Sequence, residues 1–147
     1  MSIEEQLEAD IKTAMLAREA TTVTTLRGLK AAFLSAKVAA GTRDSAMSDD
    51  EAIAILSKEA KKRQESVDMY TQGGRPDSAA AEAAEKALIE TYLPARLTED
   101  EVRAVVDEVL AATDAPAMGP VIGAVKQRTA GAADGAMIAR IVKEKLQ

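Results

Sequence analysis

The sequence predicts an all-α fold built as an N-terminal four-helix unit followed by a C-terminal three-helix domain. Three observations carry this. Aliphatic residues and alanine supply nearly all of the 47% hydrophobic content, aromatics being only 2%, and such side chains suit helices, whereas strands draw on aromatic and β-branched residues. Apolar positions recur at the helical period along the whole chain, behind repeated N-capping signatures. Finally, Pro94 interrupts a helical pattern that runs into Tyr92 and Leu93, and a new helix start follows at once, which divides the chain into residues 1–94 and 95–147.

The first helix opens on Ser2-Ile3-Glu4-Glu5, a capping box in which serine and Glu5 exchange hydrogen bonds with the first-turn amides. Ile3, Leu7, Ile11 and Met15 follow at four-residue steps, predicting a helix over 3–17. Val23, Leu26, Leu29, Phe33 and Leu34 mark a second helix ending near Ala40, with Gly41 as its C-terminal cap. Four threonines between Thr21 and Thr25 blur its start, since β-branched residues are indifferent helix formers. Residues 41–47 read as an exposed loop. Ser48-Asp49-Asp50-Glu51 is a second capping box, and Ile53, Leu56, Ala60, Val67 and Tyr70 form the buried stripe of a long third helix that stops before Gly73-Gly74. The fourth helix restarts at Arg75-Pro76-Asp77, with Ala81, Ala84, Leu88, Ile89 and Leu93 as its expected buried face.

Past Pro94, Thr98-x-x-Glu101 repeats the capping box, and Leu97 stands to Val102 at the spacing of a hydrophobic staple. The fifth helix presents Val102, Val105, Val106, Val109 and Leu110. A short sixth helix begins around Met118-Gly119-Pro120, proline being tolerated in a first turn. Asp134 is the expected N-cap of the last helix, whose apolar face is Met137, Ile138, Ile141 and Val142.

Composition excludes more function than it suggests. Without cysteine there is neither disulfide nor thiolate chemistry, and without histidine the commonest general base and metal ligand are missing. The acidic start Met1-Ser2-Ile3-Glu4-Glu5 is unlike a secretory signal, and no apolar run approaches membrane length. A soluble cytoplasmic protein without membrane association is expected. With 19 basic against 24 acidic residues, any nucleic-acid site must be a local patch.

No catalytic site, metal site or cofactor is expected. Asp49-Asp50-Glu51 is accounted for as a helix cap with favourable dipole contacts. Gly73-Gly74-Arg75 lacks the spacing and preceding strand of a phosphate loop. Ser57, Lys58, Lys61 and Ser66 give no convincing nucleophile. The run Lys58, Lys61, Lys62 and Arg63, interleaved with Glu59, Glu65 and Asp68, reads as a salt-bridged solvent face. The cations Lys126, Arg128, Arg140, Lys143 and Lys145, beside glycine turns, are the candidate nucleic-acid-binding residues. They equally suit the C-terminal ends of helix dipoles, and the residues alone leave both readings open. Gly119, Gly123, Gly131 and Gly135 are candidate turn or close-approach glycines; two glycines within one short helix cost stability.

Taken together, Lys58 through Ser66, Gly74-Arg75, Tyr92-Leu93-Pro94 with Leu97, Met118-Gly119 with Val121-Ile122-Gly123, and Gly131 through Gly135 resemble the stand-alone YqeY-like proteins. These are similar to the C-terminal tail domain of the B subunit of the amidotransferase that converts misacylated Glu-tRNA or Asp-tRNA to the amide form. The resemblance covers essentially the whole chain. It implies a larger N-terminal helical bundle, a three-helix C-terminal domain, and tRNA contact by the latter. The expected function is thus a non-catalytic tRNA-associated helper or adaptor. The alternative is a protein-interaction module docking on a translation enzyme or an amidotransferase component. A carbon-nitrogen ligase activity with glutamine as amide donor travels with the family, but the residues here offer no support for it, and the oligomeric state is left open. The family often carries a cation where this sequence has Ala132 and an asparagine where it has Ala139, which implies weaker, less salt-dependent RNA binding.

Overall fold

The computed structural model describes residues 1–147 and contains seven helices with no strand: α1 (Ile3–Leu16), α2 (Ala20–Ala40), α3 (Asp49–Gln72), α4 (Pro76–Glu90), α5 (Glu99–Ala111), α6 (Met118–Thr129) and α7 (Gly135–Leu146). They gather into two compact units, Met1–Leu93 and Pro94–Gln147.

In the first unit, α3 and α4 form the most extensive pairing, with α1 against α2 next. Its core is aliphatic around one aromatic: Leu7, Ile11, Leu26, Leu29, Phe33, Met47, Ala52, Leu56, Ala60 and Ile89. Both capping boxes here form in full, Ser2 with Glu5 and Ser48 with Glu51. Asp49 does more than favour its own helix dipole, since its carboxylate accepts the Ile3 backbone N–H at 2.9 Å and ties the start of α1 to the start of α3. Side chains make the other links. Lys37 on α2 meets Glu4 on α1 at 2.7 Å, a largely buried ion pair. Arg63 on α3 is held by Glu59 at 2.8 Å and by Glu85 on α4 at 3.1 Å. Burial works to lower the Arg63 pKa, but the hydrogen bond to Glu59 and the charges of Glu85 and Glu59 more than offset it. The Tyr92 hydroxyl, just past α4, donates to Asp10 on α1 at 2.5 Å. Burial, reinforced by that bond, pushes its pKa well up.

Several expectations need correction. Met15 is half exposed and Ala14 takes its place in the core, because steps of four residues drift around a helix of 3.6 per turn and a step of three restores the face. Leu34 is likewise exposed at 45%. Met47 is not part of an exposed loop but buried at 6%. It precedes the Ser48 cap and Ala52 stands at the fourth helical position, so the two occupy the positions of a hydrophobic staple. On α4, Ala81 and Ala84 face outward while Ala79 and Ile89 are buried. The outward alanines, with Thr21, Thr22 and Thr25 of α2, line an open groove of about 460 Å³.

The second unit is a three-helix packing of α5, α6 and α7 on one another. Its core is entirely β-branched: Val102, Val106, Val109, Val121, Val125, Ile138, Ile141 and Val142. Thr98 caps α5 by accepting from the Glu101 N–H at 3.2 Å, but Glu101 does not complete the reciprocal half of the box. Leu97 packs on this core, and its N–H donates to the Ala132 carbonyl at 2.9 Å. Asp134 occupies the N-cap position of α7 without a side-chain capping bond.

Helix ends supply a quantitative check. Gly41 terminates α2 in the left-handed region at φ 72° with open space around it, whereas Ala130 terminates α6 at φ 46° with a Cβ. Left-handed backbone costs a non-glycine residue about 1–2 kcal/mol. Gly41→Ala should therefore destabilise the protein by about 1 kcal/mol, and Ala130→Gly should stabilise it by up to about 1 kcal/mol, with urea unfolding as the measurement.

Candidate nucleic-acid interface

All five candidate cations lie on the surface of the second unit, on α6 and α7. Their placement follows from the buried faces: Val121 and Val125 turn α6 inward, and Ile138, Ile141 and Val142 do the same for α7, leaving the charged positions to solvent. The structure sorts the five into two groups. Arg128 reaches Glu108 on α5 at 3.1 Å, and Lys145 reaches Asp107 on α5 at 3.0 Å. Arg140 lies 3.2 Å from Glu99 on α5 and 3.3 Å from Glu144 on its own helix. Lys126 and Lys143 are exposed and form no ion pair.

The two free lysines differ in setting. The Lys126 stem passes over the start of α7, where its Cε and Nζ lie 3.5 and 3.6 Å from the position a Cβ at Gly135 would take. Lys143 is eight residues further along α7, about 12 Å at the helical rise. It shares the outer face with Ala136 and Arg140, opposite the buried isoleucines.

The glycines divide similarly. Gly131 follows Ala130 with φ 85°, a geometry that favours glycine. Gly119 and Gly123 lie inside α6, exposed, with nothing within 4 Å of an added Cβ, so packing inside the molecule does not explain them. Ala132 is buried at 8% and supplies the carbonyl that Leu97 uses. That position is therefore part of the packing of the turn rather than of its solvent face.

A further arginine belongs to this surface. Arg103 on α5 donates to Glu99 and to Glu144, each at 2.9 Å. Glu99, Arg103, Glu144 and Arg140 thus close a ring of alternating charge across the start of α5 and the end of α7. The hydrogen bond from Arg140, then that from Arg103, holds the Glu99 carboxyl below its usual range; for Glu144 the Arg103 bond is the main cause. The spacings Glu99–Arg103 and Arg140–Glu144 are legible as i,i+4 pairs, but the cross-links over 41 residues are not. Elsewhere, the run from Lys58 to Arg63 breaks up: Lys62 pairs with Glu59 at 3.4 Å, Arg63 is a half-buried structural bridge, and Lys58 and Lys61 point to solvent unpaired.

No group of three or more His, Cys, Asp or Glu side chains converges as a metal site, and no helix is long and apolar enough to cross a membrane. The profile of the family described as Yqey-like protein matches residues 4–146. The chain belongs to the YqeY-like family. Among curated proteins, this YqeY-like chain is 35% identical over 89 residues to "Altered inheritance of mitochondria protein 41, mitochondrial" from Eremothecium gossypii. That match covers 60% of the chain and 48% of the relative, so the chain spans about half the length of the curated protein it matches.

The charge ring makes stability depend on acid. Because the folded-state pKa values of Glu99 and Glu144 are depressed, their contribution is present above the ordinary value of 4.5 and is lost as pH falls through the lower folded values. Urea unfolding followed by helicity should show wild type losing more stability than Glu99→Gln/Glu144→Gln as pH drops below 4.5, with the difference shrinking at high salt.

Proposed function

We propose that this YqeY-like protein is a non-catalytic, tRNA-associated adaptor whose C-terminal three-helix unit touches the RNA backbone. One observation carries the reading: Lys126 and Lys143 project from α6 and α7 without a carboxylate partner. An ammonium without a partner can take a phosphate oxygen at no loss of an internal contact. The resemblance to the tRNA-binding tail of the amidotransferase B subunit supports the same choice, and the proposal includes a role in translation in the cytoplasm. Titration of labelled tRNA at several salt concentrations tests it. Wild type should bind at low salt, and Lys126→Ala/Lys143→Ala should flatten the slope of log K against log salt by about 1.4–1.8, the expectation for two lost phosphate contacts. No binding by wild type at low salt would remove the reading.

A second reading, docking on a protein of the translation apparatus, is favoured by Gly119 and Gly123, which open outward from α6 with no internal neighbour. Glycine inside a helix costs about 0.5–1 kcal/mol relative to alanine, and close approach by a partner would explain why the cost is tolerated. Gly119→Ala/Gly123→Ala should raise the stability of the isolated protein by about 1–2 kcal/mol. If this reading is right, the same variant loses a protein partner that wild type retains in a pull-down at high salt, where tRNA is washed away.

A further inference from the structure

The cations that the second unit holds back are as informative as those it leaves free. Arg103 and Arg140 share one oxygen, Oε1 of Glu99, at 2.9 and 3.2 Å, and each also reaches Glu144, at 2.9 and 3.3 Å. A guanidinium is a planar fork of donors that suits carboxylate and phosphate alike. Here each arginine spends one terminal nitrogen, Nη2 of Arg103 and Nη1 of Arg140, on both carboxylates, so a carboxylate oxygen stands at that nitrogen where a phosphate oxygen would sit. All four side chains reach solvent, with side-chain exposures of 32–49%, so a ligand can reach them. The ring as a whole carries no net charge. Two of its links join residues 41 positions apart, so the packing of α5 on α7 brings each arginine a second carboxylate beyond the i,i+4 partner on its own helix. A phosphate taking that nitrogen would have to expel a carboxylate, and one approaching the remaining donors would sit beside two carboxylates, where like charges repel.

We propose that Glu99 and Glu144 act as built-in phosphate mimics that keep Arg103 and Arg140 out of RNA contact. The proposal rests on the reading of the second unit as an RNA-binding surface and adds its regulation. Among the cations of α5, α6 and α7, binding is limited to the unpaired lysines, and the affinity of the unit is set by two glutamates as much as by its cations. Asp100 and Glu101 sit on the same turn of α5, are exposed, and pair with no cation. They offer a control of equal charge change.

The experiment compares wild type, Glu99→Gln/Glu144→Gln and Asp100→Asn/Glu101→Gln for binding of labelled tRNA between about 50 and about 200 mM salt, the range over which phosphate contacts are read. Helicity is checked for each. Release of two guanidiniums should steepen the salt slope by about 1.4–1.8, so that affinity falls about tenfold more across that range than in wild type. The control should leave the slope as it is. Adding Arg103→Gln/Arg140→Gln to the Glu99→Gln/Glu144→Gln protein should return it to the wild-type slope. The inhibition is overturned if the two double variants change the slope equally, if neither changes it, or if removing the arginines does not reverse the gain. In those cases an RNA affinity that still depends on Lys126 and Lys143 leaves the adaptor reading standing. Absence of binding by wild type and every variant at low salt removes both.

Discussion

One backbone hydrogen bond, from the Leu97 N–H to the Ala132 carbonyl, is the constraint on which the candidate surface depends. Every other backbone bond outside the helices closes a local turn or cap. This one joins the entry of α5 to the turn ahead of α7. Around it, Leu97 packs on the valine and isoleucine core, Thr98 fixes the first amides of α5, and Ala132 is buried beneath the turn. With both helix starts tied together, α7 runs along α5 in the same direction, Arg140 beside Glu99, Glu144 beside Arg103 and Lys145 beside Asp107. That register puts Glu144 within reach of Arg103 and Arg140 within reach of Glu99. A slip of one residue would rotate each side chain by about 100° around the helix and open the ring.

The first unit solves the same problem with side chains. Asp49 reaches the amide of Ile3, Lys37 reaches Glu4, Arg63 bridges to Glu85, and Tyr92 reaches Asp10. These links run between α1 and α3, α2 and α1, α3 and α4, and the end of α4 and α1. Each helix of the unit is thereby tied to a neighbour by at least one directional contact, in addition to an apolar core that by itself would tolerate sliding. Arg63 illustrates how a charge that reads as part of a solvated run becomes structural once a second helix supplies its carboxylate.

What was legible in the sequence was what local chemistry writes. Helical period, capping serines and threonines, and glycine at a C-terminus each act within a few residues, and they located the helices. The misses have identifiable physical causes. Met47 stands alone in a polar stretch, and its staple partner Ala52 is too small to stand out as apolar, although the spacing matches that of Leu97 and Val102. On α4 the abundance of alanine removes the contrast between faces, so Ala81 and Ala84 could not be told from Ala79. At the candidate site, all five cations could be picked out by type. Which of them are spent on carboxylates depends on contacts across about 20 to 41 positions, and no local pattern records those.

The distribution of aromatic side chains has a practical consequence. Phe33, Tyr70 and Tyr92 are the chain's complete aromatic set, and all three belong to the unit that ends at Leu93. The second unit is built on valine and isoleucine and contains no chromophore beyond its peptide bonds. Ultraviolet absorbance, tyrosine emission and near-ultraviolet circular dichroism therefore report on the first unit alone, whereas far-ultraviolet signals sum over both. The protein carries its own optical label for one half, and a comparison of the two wavelength ranges in a single melt separates the unfolding of the halves without any added dye.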